Sequence, residues 1–249
     1  MKVLVHGAGG HMGQILCHMA EEGKYGAELA AQVSPELTSD PAAAIYESLD
    51  EYSGDADVVV DFSNHAATAD LLKYCTERNL PVVIATTGQT ADERELIAQA
   101  AETIPVFFAA NMSVGIAVLA DIARKAAAAF PEADIEIIER HHNRKLDVPS
   151  GTALMLANAI KEERENAEFV VGRHENGKRQ PQEIGIHSLR YGNEVGTHEI
   201  VISNGNETIT LKHEAENRAL FAEGALKAAA FLVGKVRRPP IWLPNCPPI

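Results

Sequence analysis

The sequence predicts an α/β protein in two parts: a parallel sheet of alternating strands and helices, and an inserted α+β region with a mixed sheet. Three observations predict it. A glycine turn, Gly7-Ala8-Gly9-Gly10-His11-Met12-Gly13, follows the first β-branched run directly. Near-continuous apolar runs such as Asp57–Phe62 (DVVVDF) alternate with helical patterns, as strands buried on both faces of a parallel sheet do. The region 184–213 alternates apolar and polar residues instead, the pattern of an antiparallel or mixed sheet with one buried face.

Taken in order, Lys2–His6 reads as a strand and the glycine turn opens a helix. On that helix Met12, Ile15, Leu16, Met19 and Ala20 share one face. Residues 27–33 form the next strand, which completes a β-α-β unit of the dinucleotide-binding, Rossmann-like kind. The strict G-x-G-x-x-G pattern is absent, because Met12 stands at its last position. Gly7, Gly9, Gly10 and Gly13 still supply a tight turn and close backbone approach at a helix N-terminus, so a pyrophosphate is expected against Gly7–Gly13, His11 and Met12 included. The cofactor choice normally shows at the end of the second strand. Here Gln32–Asp40 places no acid at the strand end and no base nearby, and Ser34 can bond either form, so NADH or NADPH is expected to serve.

Ser63-Asn64 caps a helix to about residue 79, residues 81–85 form a strand ending in Thr86-Thr87-Gly88, and 92–101 is helical. A strand at 106–109 leads through Asn111-Met112-Ser113-Val114-Gly115 into an Ala-rich helix to Phe130. A short strand at 135–138 then meets a dense run, Glu139 to Thr152 (ERHHNRKLDVPSGT), and a helix follows to about residue 165. Residues 166–182 read as an exposed loop. Strands follow at 184–190, 197–203 and 208–213, the last two joined by the turn signal Asn204-Gly205-Asn206. Arg218–Val233 is an apolar helix, and a proline-rich tail closes the chain.

Composition narrows the function. A formal net charge of −13 argues against nucleic acid as a partner. No apolar run reaches the ~20 residues of a membrane span, and the chain enters a strand pattern at once, so neither membrane association nor a secretory signal is expected. Cys17, Cys75 and Cys246 are widely spaced, which fits a reducing cytoplasm and no thiolate metal site. The run from 139 to 152 carries the chemistry. His141 and His142 titrate near neutrality, Lys145 offers a compact cation, and Ser150-Gly151-Thr152 opens a helix whose N–H groups favour an anion. Taken singly, each has a plain alternative: a solvated loop, paired histidines that only hydrogen-bond, an N-cap. Together they suit a small carboxylate-bearing substrate that accepts a proton. His141, His142, Arg144, Lys145, Arg190 and Lys212 are expected to converge on it.

As a whole, E-x-x-E-x-H-H-x-x-K-x-D-x-P-S-G-T-A resembles the signature of the 4-hydroxy-tetrahydrodipicolinate reductase (dihydrodipicolinate reductase) family. Arg190-x-Gly192-x-x-x-Gly196-x-His198 resembles a second motif of that family, although two glycines at bends of a hairpin would look the same. The resemblance implies reduction of 4-hydroxy-tetrahydrodipicolinate by a reduced nicotinamide, with loss of water, in diaminopimelate and lysine biosynthesis. It implies His141 as proton donor with Lys145 as its catalytic partner. His142, Lys145, Ser150, Gly151 and Thr152 would hold a dicarboxylate substrate. Phe62-Ser63, Thr86-Thr87-Gly88 and Ala110-Asn111-Met112 look like the loops that line the cofactor. The implied domains are 1–112 with 219–249 for the dinucleotide, and 113–218 for substrate and for assembly into a homotetramer through an apolar sheet face. The chain departs from the family at His11 (usually Arg), at Ala85 (usually Gly) and in its tail, where the family ends in a short helix. Other readings are a different dehydrogenase on the same plan, a dinucleotide-binding redox sensor, and a metal site at His141, His142 and Asp147.

Overall fold

The computed structural model describes residues 1–235 and the backbone of Ile241–Trp242. The chain divides into two compact units, Met1–Met112 with the segment returning at Ala219, and Ser113–Arg218.

The first unit contains β1 (Lys2–His6), α1 (His11–Glu21), β2 (Glu28–Val33), β3 (Ile45–Tyr46), β4 (Val58–Asp61), α2 (Thr68–Glu77), β5 (Val82–Ile84), α3 (Ala91–Ala101) and β6 (Val106–Phe108). Its sheet is parallel, with strands in the order β12-β6-β5-β4-β1-β2-β3, where β12 (Ile241–Trp242) pairs with β6. Alternate residues of the central strands face opposite ways. Val3, Val5, Val58 and Val60 pack with Leu16 and Ala20 of α1 and with Ala222, Leu226 and Ala229 of a later helix. Leu4, Val59, Val82 and Ile84 pack with Leu71 and Cys75 of α2 and Ile97 of α3. Helices on both faces explain why these strands read as unbroken apolar runs. α3 begins with a capping box in which Thr90 and Glu93 satisfy each other's backbone N–H groups.

The second unit contains α4 (Val114–Ala129), β7 (Asp134–His141), α5 (Gly151–Lys161), β8 (Glu168–Val171), β9 (Glu183–Arg190), β10 (Gly196–Ser203) and β11 (Thr208–Ala215), after which α6 (Ala219–Leu232) belongs to the first unit. Its mixed sheet runs β11-β10-β7-β9-β8, with β7, β8 and β9 parallel and β10 antiparallel to both neighbours. Ile135, Ile137, Ile184, Ile186, Ile200 and Ile202 all face α4 and α5.

Four expectations are corrected here. The strand at 135–138 runs on to His141, so Glu139 and His141 sit on a strand and not in a loop. Within 166–182 lies β8, an edge strand of four residues whose charged flanks hide its pattern. The sheet face away from the helices is mixed and not simply apolar: Glu136 and Arg140 of β7, Glu199 of β10 and Lys212 of β11 project on it beside Ile138, Val201 and Leu189. Lys212 therefore lies on the opposite side of the sheet from His141, paired with Glu214. In the tail, β12 extends the parallel sheet; the other proline-rich residues lie outside the described residues.

Candidate active site

In the first unit the parallel arrangement brings the carboxyl ends of β1, β2, β4 and β5 to one edge. Gly7 has φ +82°, and a Cβ there would lie 2.6 Å from the backbone of Phe62 and Ser63. A Cβ on Gly13 would lie 2.1 Å from the Gly7 carbonyl, so α1 packs directly on the turn. His11 is the first residue of α1 and is exposed, Met12 is half-buried against the core, and Gly10 is the N-cap without a side-chain bond. Ser34 is fully buried at the end of β2, and its hydroxyl donates to the Glu36 carboxylate. A Cβ on Gly9 would meet both Ser34 Oγ and Glu36 Oε2 at about 3 Å. The acid that the sequence reading did not find at this strand end is thus Glu36, folded back by a turn against the glycines.

At the end of β4, Asp61 accepts from His6 Nδ1 at 2.9 Å and from Ser63 Oγ at 2.6 Å, which fixes the Phe62-Ser63 loop. At the end of β5, Thr86 is buried and its Oγ1 has no hydrogen-bond partner, while Thr87 and Gly88 are exposed. Ala110 and Asn111 are half-buried, and Met112 is in the core cluster.

In the second unit the site is built around Glu139, which is fully buried on β7. His141 Nδ1 donates to Glu139 Oε2 at 2.5 Å. Arg190 of β9, paired with His141 of β7, donates to both carboxylate oxygens at 2.7 Å, and the Ser150 backbone N–H donates to Oε1 at 3.1 Å. Burial alone would raise the Glu139 pKa, but the bonds from His141 and Arg190 overcome it and hold the carboxyl well below its usual range. With Nδ1 committed to the carboxylate, His141 presents Nε2 as its working nitrogen.

The neighbouring histidine is held the other way. His142 Nε2 accepts from Arg218 at 3.2 Å, and burial and nearby cations lower its pKa. His142 therefore stays neutral and accepting, which is unsuited to donating a proton. Lys145 pairs with Asp147 at 2.8 Å. The Asp147 pKa is raised by burial but lowered further by Lys145 and by the Gly151 backbone N–H, which places an internal carboxylate between the lysine and the first turn of α5. A Cβ on Gly151 would meet nothing within 4 Å, so the mouth of this turn is open, with Thr152 beside it half-buried. Ser150, expected among the substrate contacts, is 1% exposed and turned inward. Its Oγ caps α5 by accepting from the Ala153 N–H and lies 3.1 Å from His198 Nε2. Ser150 thus builds the cradle and does not reach out of it. Arg144 is exposed and bonds Asn193. Among the described residues, no group of three His, Cys, Asp or Glu side chains could hold a metal ion, and no helix is long and apolar enough to cross a membrane.

Comparison with known proteins identifies the family. The model named "Dihydrodipicolinate reductase, N-terminus" matches residues 1–112 and that named "Dihydrodipicolinate reductase, C-terminus" matches residues 115–240. The chain belongs to the dihydrodipicolinate reductase family. It is 44% identical over 238 residues to a 4-hydroxy-tetrahydrodipicolinate reductase of Caldanaerobacter subterraneus subsp. tengcongensis, covering 94% of each chain. It is 42% identical to the Clostridium tetani protein of the same description, over 94% of this chain and 92% of that one. A dipicolinate-bound dihydrodipicolinate reductase from Paenisporosarcina sp. TG-14 superposes with a TM-score of 0.79 at 25% identity, covering 97% of both chains. An aspartate dehydrogenase from Thermotoga maritima shares the fold alone, with a TM-score of 0.52 at 16% identity over 95% of this chain and 98% of that one.

Glu139 and His198, present in the two sequence motifs but given no role there, both lie in this buried cluster. His198 is 4% exposed on β10, and burial pushes its pKa down to about 3. An unfolded histidine titrates near ~6.5. Between those values the unfolded chain holds a proton that the folded chain lacks, so stability falls as pH drops below ~6.5, by about 1.4 kcal/mol per pH unit for this one group. Urea denaturation between pH 6.5 and 5 is expected to show this slope, and His198→Gln is expected to remove one proton's worth of it. An equal slope in both proteins would show that His198 is not buried neutral.

Proposed function

We propose that this chain reduces 4-hydroxy-tetrahydrodipicolinate to tetrahydrodipicolinate with loss of water, in diaminopimelate and lysine biosynthesis, using a reduced nicotinamide. The observation that carries the reading is the Glu139–His141 pair beside Lys145 and the first turn of α5. One proton is consumed for each hydride transferred and each water lost, and a carboxylate-bound imidazole is a suitable donor.

The residues at the carboxyl edge of the parallel sheet fit the cofactor. Gly7, Gly9, Gly10 and Gly13 let a pyrophosphate approach the α1 N-terminus, with His11 and Met12 beside it. The buried, unpartnered Thr86 hydroxyl is a polar group awaiting a ligand atom. Phe62, Ser63, Thr87, Gly88, Ala110, Asn111 and Met112 complete the lining by loop position. Bound there, a reduced nicotinamide would supply the hydride for reduction at C4 of the substrate ring. Glu36 beside Gly9 and Ser34 would accept from a ribose 2′-hydroxyl and repel a 2′-phosphate, so NADH is the better cofactor and NADPH the poorer.

His141 donates its Nε2 proton as the hydroxyl leaves, while Glu139 stabilises the imidazolium through Nδ1. Lys145 and the Gly151 and Thr152 N–H groups hold a substrate carboxylate, which takes the place of Asp147. His142, fixed neutral by Arg218, shapes the pocket wall. The chain works in the cytoplasm as a homotetramer assembled through the free sheet face of the second unit. That face carries Leu189, which is more than 40% exposed, among its charges. Sedimentation at micromolar concentration is expected to give four times the 26.8 kDa chain mass, and a one-chain mass would remove the assembly.

One set of steady-state assays tests the chemistry. His141→Ala is expected to lower kcat by roughly 10²–10⁴ with a smaller effect on KM, and Lys145→Ala to damage both. NADH should outperform NADPH in the unaltered enzyme, with Glu36→Ala narrowing that ratio at least about tenfold, or ~1.4 kcal/mol. Near-normal turnover of His141→Ala at saturating substrate would end its assignment as donor. A cofactor ratio that ignores Glu36 would end the ribose assignment.

A further inference from the structure

β10 passes beside His141 at Gly196. A Cβ built on Gly196 would lie 3.0 Å from His141 Nε2, 3.3 Å from Cδ2 and 3.9 Å from Cε1. The nearest ring atom is thus the nitrogen that Glu139 leaves free. Gly196 is buried in an extended strand, and its φ lies outside the left-handed region, so the backbone does not itself demand glycine. Nor does the turn, since Gly192, with φ +50°, supplies the left-handed residue of the β9–β10 connection. A glycine that weakens a strand without a backbone reason marks a close approach.

The imidazole cannot move aside to make room. Its Nδ1 is tied to Glu139 at 2.5 Å. The His198 ring, two residues along the same strand, meets it edge to face at 5.2 Å between centroids. Glu139 is in turn held by Arg190 and the Ser150 N–H. A methyl group at 196 would therefore press against Nε2 from one side of the ring and crowd the line along which a proton acceptor approaches.

We propose that Gly196 is the access position of the site: its missing side chain keeps the approach to Nε2 of His141 open for the substrate atom that takes the proton. This rests on His141 being the donor, but the access it describes can be measured without turnover.

The experiment pairs kinetics with chemical modification. Diethyl pyrocarbonate acylates accessible imidazole nitrogen, and peptide mass spectrometry reads each histidine separately. In the unaltered protein His141 should be modified and His198 should not. In Gly196→Ala the rate at His141 should fall at least about tenfold and kcat by roughly 10² or more, with NADH affinity little changed. An inert His141 in the unaltered protein would overturn the proposal without any need for the variant to fold. So would Gly196→Ala with unaltered modification rate and turnover. If His141→Ala instead keeps near-normal turnover, the donor reading fails, and the modification rates alone still judge whether Gly196 sets access.

Discussion

The Glu139 carboxylate, with no exposed surface, is the constraint on which the second unit's site depends. A buried charge is costly unless it is paired and hydrogen-bonded. Here a two-point guanidinium contact from Arg190, an imidazole N–H and a backbone N–H surround it. Each donor comes from a different part of the chain: β9, β7 itself and the N-cap of α5. Satisfying one carboxylate therefore fixes the strand end, the ring of His141 and the start of the helix at once. Removing one partner of such a buried pair typically costs about 3–5 kcal/mol, because the other charge is left buried and unpaired, so the members of the cluster depend on one another.

That arrangement separates two adjacent histidines into different roles. His141 faces an anion and gives up Nδ1 to it. His142 faces Arg218, a cation that donates to it, and is kept neutral. Two identical side chains one residue apart thus differ in what they can do because successive residues at a strand end point to opposite sides. The α5 N-terminus follows the same economy: Ser150 is spent on the cap and on His198, which leaves the open turn at Gly151 and the cation of Lys145 to meet a ligand.

Much of the first unit was legible in the sequence because its signals are local. Valine runs buried on both faces and a glycine turn between strand and helix need no tertiary information. The dense run from Glu139 to Thr152 was legible as a site for the same reason. What escaped depended on contacts distant in sequence. Glu139 looked like one charge in a charged loop, yet Arg190, 51 residues away, takes it inside. Glu36 lies three residues past the strand end and only the fold-back onto Ser34 and Gly9 puts it there. β8 lacks alternation because an edge strand of four residues buries little. Lys212 was grouped with the site bases by charge, although strand parity places it on the other sheet face.

The claim that Glu139 orients the proton donor is tested most directly by the protonation pattern of the His141 ring. Long-range ¹H–¹⁵N correlation on histidine-labelled protein, with His141→Asn to assign the signals, reports which nitrogen carries hydrogen. The account predicts that Nδ1 keeps its proton across the whole pH range in which the protein is folded, with only Nε2 gaining and losing one. A neutral ring protonated at Nε2 and bare at Nδ1 would contradict it, because the bare nitrogen would then face the buried carboxylate.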